Sequence, residues 1–200
     1  MSASTIHTTK MPIGLRANWW AKITAEGESA HPTYSTPMSL GGSIKAYLTV
    51  TTYTRQVAAD DTWQINDDVF ASATLEQETD CTDVELDATV FGHTLSEDGE
   101  STSAEMDAAP YGGWAGIEPL VLRDHSTVYR ATVLYKIKAQ QASEKMEADT
   151  LTPGNFTPKN KSITFMAERD ATGAWRVQKE FPTFEAARTW IMGKFGATES

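Results

Sequence analysis

The residues best suited to chemistry are two adjacent pairs of carboxylates, Asp60-Asp61 and Asp67-Asp68, four scattered histidines and a single cysteine, Cys81. Paired carboxylates hold hard cations or exchange protons in acid–base catalysis. A calcium loop, however, needs ligands at alternating positions, a central glycine and a distal glutamate, and this spacing supplies none of that order. The same pairs fit acidic turns between strands, where Asp hydrogen-bonds its own backbone. A hydrolase using Asp60, Asp61, Asp67 or Asp68 is thus a competing expectation beside the turn reading. His93 follows Gly92, and His125 lies in Arg123-Asp124-His125-Ser126; neither has a partner at ligand spacing, so both read as turn histidines. Cys81 has no second cysteine to pair with and no local signature of a reactive thiol. No Gly-x-Ser-x-Gly elbow occurs. Gly41-Gly42 and Gly112-Gly113 match no phosphate-cradling pattern and read as turns or points of close backbone approach. Trp19-Trp20, Trp63 and Trp114 suit either a sugar-stacking platform or, as is more usual in a β protein, core and interface positions. The expectation is a non-enzymatic chain with no cofactor and no metal.

The elements that must carry these residues are mostly strands, because apolar and polar residues alternate. One apolar face runs through Ile44, Ala46, Leu48 and Val50, and another through Val84, Leu86, Ala88 and Val90. The longest runs through Tyr129, Ala131, Val133, Tyr135, Ile137 and Ala139. Ile163, Phe165 and Ala167 form a shorter face, Trp175 to Phe181 close the series, and Val69 to Gln77 is a weaker strand. The turn Asp170-Ala171-Thr172-Gly173 predicts that the last two strands form a hairpin. Residues 184–195 predict the one helix: Thr183 caps it, Phe184, Ala187, Trp190, Ile191 and Phe195 recur at helical spacing, and Gly196 stops it. Ser96 to Ala109 reads as an acidic, solvated loop. Gln140 to Pro158 is long and polar, and a loop of that length in a compact domain implies a use. The fold class expected is mainly β, an antiparallel sandwich or barrel-like domain over 1–200, with a flanking C-terminal helix, a flexible segment at 1–13 and an extended loop or arm at 140–158.

The chain has 200 residues and a formal net charge of -10. That length suits one substantial domain. The acidity excludes a surface built to grip nucleic acid, which needs clustered Lys and Arg. It does not exclude a surface past which DNA passes without sticking, since like charges repel. Met1 to Lys10 is rich in Ser and Thr with no apolar core, which predicts no signal peptide. No run reaches the roughly 18 apolar residues of a membrane span. A protein kept in a reducing cytoplasm is the expectation.

Read in order, several segments resemble the major tail proteins of phages with long non-contractile tails, especially those of Gram-positive hosts. They are Tyr34-Ser35-Thr36-Pro37 leading into Ile44 to Val50, Ala58-Ala59-Asp60-Asp61, and Val84 to Val90 with Phe91-Gly92-His93-Thr94. Ala109-Pro110-Tyr111-Gly112-Gly113, Tyr129 to Lys138, Thr157-Pro158 and the ending Trp175 to Trp190 follow. The likeness covers roughly Gly14 to Phe195, and departs at Ala58, where an aromatic residue is expected.

The resemblance implies a virion protein made in the bacterial cytoplasm and assembled into hexameric rings that stack into a tail tube. It implies partners in other copies of itself, a tape-measure protein, and tail terminator and distal tail proteins, with DNA passing without specific binding and no membrane contact. Glu85, Asp87 and Thr89 are candidates for the lumen wall, on a polar strand face that alternation equally allows to meet external solvent. Glu144, Met146, Leu151 and Phe156 are candidates for an inter-subunit arm. The alternative function is a β-sandwich surface-binding module, an adhesin or carbohydrate-binding domain.

Overall fold

The computed structural model describes residues 9–59, 62–80, 83–141 and 160–197. In chain order the elements are β1 (Lys10–Pro12), β2 (Ala17–Ala25), β3 (Thr33–Tyr34), β4 (Met38–Ser39), β5 (Ser43–Ala59) and β6 (Thr62–Thr79). Then come α1 (Val84–Phe91), β7 (Thr94–Leu95), β8 (Ser101–Thr102), β9 (Tyr111–Leu122), β10 (Thr127–Gln140), β11 (Lys161–Glu168), β12 (Arg176–Phe181) and α2 (Phe184–Lys194). The fold is mainly β and antiparallel, sandwich-like, with a C-terminal helix, as the alternation predicts.

Ten strands share one sheet whose main path is β3-β2-β9-β10-β11-β6-β5; β1 joins β9, β12 joins β10 and β4 joins β2. Its two faces bury two cores. Ala115, Ile117, Ala131, Val133 and Tyr135 lie under α2, against Ala187, Ile191, Met192 and Phe195. On the opposite face Trp20, Trp114, Leu134 and Ile137 pack with Leu75, Ile163, Phe165 and the α1 residues Leu86, Val90 and Phe91. α2 forms as expected, with the Thr183 hydroxyl accepting the Ala186 N–H at 3.2 Å. Such a cap satisfies an amide that the first helical turn leaves open.

The expected single apolar face of β10 is divided. A register shift between Leu134 and Ile137 leaves Tyr129, Ala131, Val133 and Tyr135 on the α2 side, while Ile137 and Ala139 turn into the other core. One extra residue reverses the side-chain alternation, which is how a strand passes from one packing layer to the other. At the same point the neighbour of β10 changes. Tyr129–Leu134 pair with β12, and Lys136–Gln140 pair with β11. The predicted hairpin between the last two strands is therefore not formed. β11 and β12 run in the same direction along one edge of β10, with the Asp170–Gly173 turn interrupting them.

Val84 to Val90, expected as a strand, is helical. Leu86 and Val90 share a face at helical spacing with Phe91 beyond, so a period of 3.6 also buries these residues. Asp83 accepts the Glu85 N–H at 3.0 Å, and Gly92 closes the helix with φ 77, a conformation that costs glycine little. Within the acidic loop at Ser96 to Ala109, β8 pairs with β7 just before it. Lys10–Pro12, expected in the flexible N-terminal segment, pair with Leu120–Leu122. Gly112 and Gly116 serve close approach: a Cβ on either would run into the Trp20 or Trp114 indole.

Candidate assembly surfaces

Two strands dominate the exposed part of the molecule. β5 has 17 residues and β6 has 18, paired along their whole length from Ser43↔Thr79 to Ala59↔Thr62. β11 meets β6 only from Ala73 onward. Beyond that point Thr51–Ala59 and Thr62–Ser72 form a two-stranded ribbon, roughly 35 Å long at about 3.3 Å per residue. Among the described residues no strand covers the outer edge of β5 or the far edge of this part of β6. A two-stranded hairpin is at best marginally stable in water by itself. An open edge also offers unpaired N–H and C=O groups to any incoming strand.

Side chains on β5 match that exposure. Ala46 and Leu48 pack on the core, but Ile44, Tyr47, Val50 and Tyr53 are 46%, 57%, 42% and 53% exposed. The expected apolar face at Ile44 to Val50 is thus buried only at its middle. The other face of β5, β6 and β11 is uncovered, whereas α2 covers β9 and β10. Tyr47, Thr49 and Thr51 stand there beside Ser72, Thr74, Glu76 and Glu78, and Lys45 lies opposite Glu78.

The ribbon is held at its base by a layered stack. Phe70 lies against Trp175 with ring centroids 4.5 Å apart and planes 13° apart. Arg169 covers Phe70 at 5.6 Å and Arg176 covers Trp175 at 4.6 Å, and Arg169 also donates to the Phe70 carbonyl. Cation–π contacts of this type add about 0.5–1 kcal/mol each at exposed sites.

Between the ribbon's base and the sheet lies a cleft of about 480 Å³, with Leu15, Leu48, Leu75 and Trp114 as apolar walls and Lys45, Glu118 and Arg176 among its charged groups. Glu118 is 3.4 Å from Arg130, which also reaches Glu180 at 3.5 Å, and Lys10 pairs with Glu180. These cations hold the Glu180 carboxyl below its ordinary range, the Lys10 hydrogen bond most of all.

The chemical candidates from the sequence do not converge. Among the described residues no three His, Cys, Asp or Glu side chains are placed to hold a metal. Cys81, Asp60 and Asp61 lie outside the described residues, as do the arm candidates Glu144, Met146, Leu151 and Phe156. Asp67 is in β6 opposite Arg55, and Asp68 accepts the Thr54 hydroxyl at 2.9 Å. His93 Nδ1 is 3.0 Å from Asp107, whose carboxyl is held low first by the Ala104 N–H and then by His93. His125 is a turn histidine as expected, with φ 65.

Glu85, Asp87 and Thr89, placed on a strand face by alternation, sit on α1 instead. Asp87 pairs with Lys161, and the Thr89 hydroxyl donates to the Glu85 carbonyl at 2.9 Å. The strand premise that aimed all three at one surface does not hold, because a helix keeps Glu85 and Thr89 on one face and turns Asp87 away from it. The features missed at the sequence level were the ribbon's length and its bare edges. Their signal was a run of Thr and Tyr continuing past Val50, with strand propensity but no apolar face to bury.

No helix among the described residues is long and apolar enough to cross a membrane. No protein-family model matches the chain, and no curated protein sequence matches it.

Proposed function

We propose that this chain is the subunit of a phage tail tube, acting by closing rings through strand addition and stacking those rings into a conduit for DNA. The observation that carries the proposal is the β5–β6 ribbon, which extends beyond the sheet with no strand on either edge among the described residues. A head-to-tail contact between copies covers such edges, and when its rotation closes it yields a ring. Six copies then form a continuous barrel with no free edge. The order of segments resembling major tail proteins supports the same reading.

In this proposal the uncovered face of β5, β6 and β11 takes over the lumen role that Glu85, Asp87 and Thr89 were expected to fill. Among the described residues it presents Thr49, Thr51, Ser72 and Thr74 with Glu76 and Glu78, and Lys45 opposite Glu78. DNA phosphates bind where Lys and Arg cluster, so a hydroxyl and carboxylate surface lets the strand pass. The tape-measure protein occupies the same lumen before DNA does, and terminator and distal tail proteins close the ends. The segment holding Glu144, Met146, Leu151 and Phe156 keeps its proposed role as an arm to a neighbouring subunit; deleting Ala142 to Asn155 then shortens or weakens the tube.

Negative-stain electron microscopy of concentrated protein tests the proposal. Rings or tubes are the expected images. A field of single, well-separated particles at every concentration would overturn it and favour the surface-binding module.

A further inference from the structure

We infer that the cleft is a binding site for a small amphipathic carboxylate, with Arg176 holding the anion and the apolar walls holding the hydrocarbon body. The inference goes beyond the ring-forming reading and does not depend on it.

The floor of the cleft is laid by strand register. Across β9, β10 and β12, Gly116, Thr132 and Gln178 form one row, and Trp114, Leu134 and Arg176 form the next. The residues between them, Ile117, Val133 and Val177 among others, pack under α2, so these rows point to the opposite face. Gly116 lets an apolar bed form there: a Cβ on it would meet the Trp114 indole at 2.5 Å and Leu15 at 3.2 Å. Leu48 and Leu75 add the wall on the ribbon side and complete a volume of about 480 Å³. A concave site of that size, mostly apolar with a few polar groups, suits a small molecule rather than a folded partner.

Most polar groups around this bed are matched within the protein. Gln178 Nε2 donates to the Thr132 hydroxyl at 2.9 Å. Glu118 is 3.4 Å from Arg130, and Glu180 in the same row is held by Lys10 and Arg130. Arg176 is different: it lies against the Trp175 ring and has no carboxylate at ion-pair distance among the described residues. Lys45, which borders the cleft from β5, has none either. A guanidinium resting on an aromatic face keeps its fork of N–H donors for a carboxylate, which it binds in bidentate fashion.

The floor also holds polar groups that the fold does not satisfy. The Trp114 indole N–H and both ends of the Asn18 carboxamide are buried with no hydrogen-bond partner among the described residues. Asn18 stands opposite Gly116 in the β2–β9 register, on the same face as the floor. Native proteins leave few such groups, and two beside one cleft mark a floor that the protein's own side chains do not complete.

Calorimetric titration of dilute protein with octanoate tests the inference, with octanol as the neutral analogue and acetate as the anion without the body. Octanoate is expected to saturate a single site, at least about tenfold more tightly than either comparison compound. Arg176→Glu should weaken octanoate binding about tenfold or more, whereas Arg123→Glu, the same charge change in the turn between β9 and β10, should leave it unchanged. Both arginines are exposed, and circular dichroism should show both variants folded like wild type. In nitrogen-15 spectra the Trp114 indole N–H signal, assigned with Trp114→Phe, should move along the octanoate titration. No saturable octanoate binding would overturn the inference. Octanol binding as tight as octanoate would remove the anion site, and equal losses in the two arginine variants would reduce the effect to overall charge and overturn it too. None of these results bears on ring formation, which is read from concentrated protein.

Discussion

His31 Nδ1 lies 2.6 Å from a carboxylate oxygen of Asp170, and the imidazole ring rests flat on Tyr135, centroids 4.0 Å apart and planes 7° apart. The pair joins the segment between β2 and β3 to the turn where the chain leaves β11 for β12. The other Asp170 oxygen accepts from Thr172 N–H, Thr172 hydroxyl and Ala174 N–H at 2.6–3.0 Å. Burial works to raise the Asp170 pKa, but the hydrogen bonds from His31 and Thr172 outweigh it and the net shift is downward. The Tyr34 hydroxyl, pushed up by burial and then by Asp170 and Tyr135, donates to the Tyr135 carbonyl at 2.7 Å beside it.

Asp170→Ala is therefore expected to cost about 2–3 kcal/mol at neutral pH, since buried donors lose their acceptor. A group whose folded pKa is depressed stabilises fully above its unfolded value, about 3.9 for Asp, and stops doing so as pH falls through the folded value. The stability gap between wild type and variant should narrow below about pH 4. Thermal melts of dilute protein across pH 2.5–7, a range of about the width needed to span that value, provide the measurement; a gap that does not change with pH would contradict the clasp.

The α1 termini make a graded pair. Asp83→Ala removes the cap on Glu85 N–H and should cost about 1 kcal/mol. Gly92→Ala should cost more, because φ is 77 and an added Cβ would strike the Ala108 carbonyl oxygen. Urea titrations that reverse this order would show that α1 is not capped as described.

Trp175→Ala removes the middle of the Arg169–Phe70–Trp175–Arg176 stack. The expected loss is about 2–4 kcal/mol, at or below the range for a buried aromatic since Trp175 is only partly buried. Amide exchange should rise first in Thr51–Ala59 and Thr62–Ser72, where only one neighbouring strand holds each amide. Uniform acceleration across the whole sheet would argue that the stack supports the core rather than the ribbon.

Lysine at both Tyr47 and Tyr53 should leave the dilute protein within about 0.5 kcal/mol of wild-type stability, because both side chains are exposed. Assembly should fall sharply, since charge on an open strand guards it against edge-to-edge pairing. Electron microscopy of the concentrated variant reads the outcome, and tubes as abundant as wild type would count against strand addition at β5.

Local pattern determined much of this molecule. Alternation marked the strands at Ile44, Tyr129, Ile163 and Trp175, and Thr183 with the apolar stripe marked α2, because period and capping are properties of neighbours along the chain.

Tertiary structure alone decided the rest. Val84 to Val90 satisfy a period of 2 and a period of 3.6 over so short a stretch, and packing of Leu86, Val90 and Phe91 on the core, with Asp83 and Gly92 at the ends, selected the helix. β12 pairs with β10 rather than β11, and the bulge after Leu134 turns Ile137 into the second core, because strand partners are chosen across the fold and not along the chain. The ribbon's bare edges have the same origin. Thr and Tyr at 51–54 confer strand propensity, but whether a third strand arrives beside them depends on residues a hundred positions away, and β11 stops pairing at Ala73.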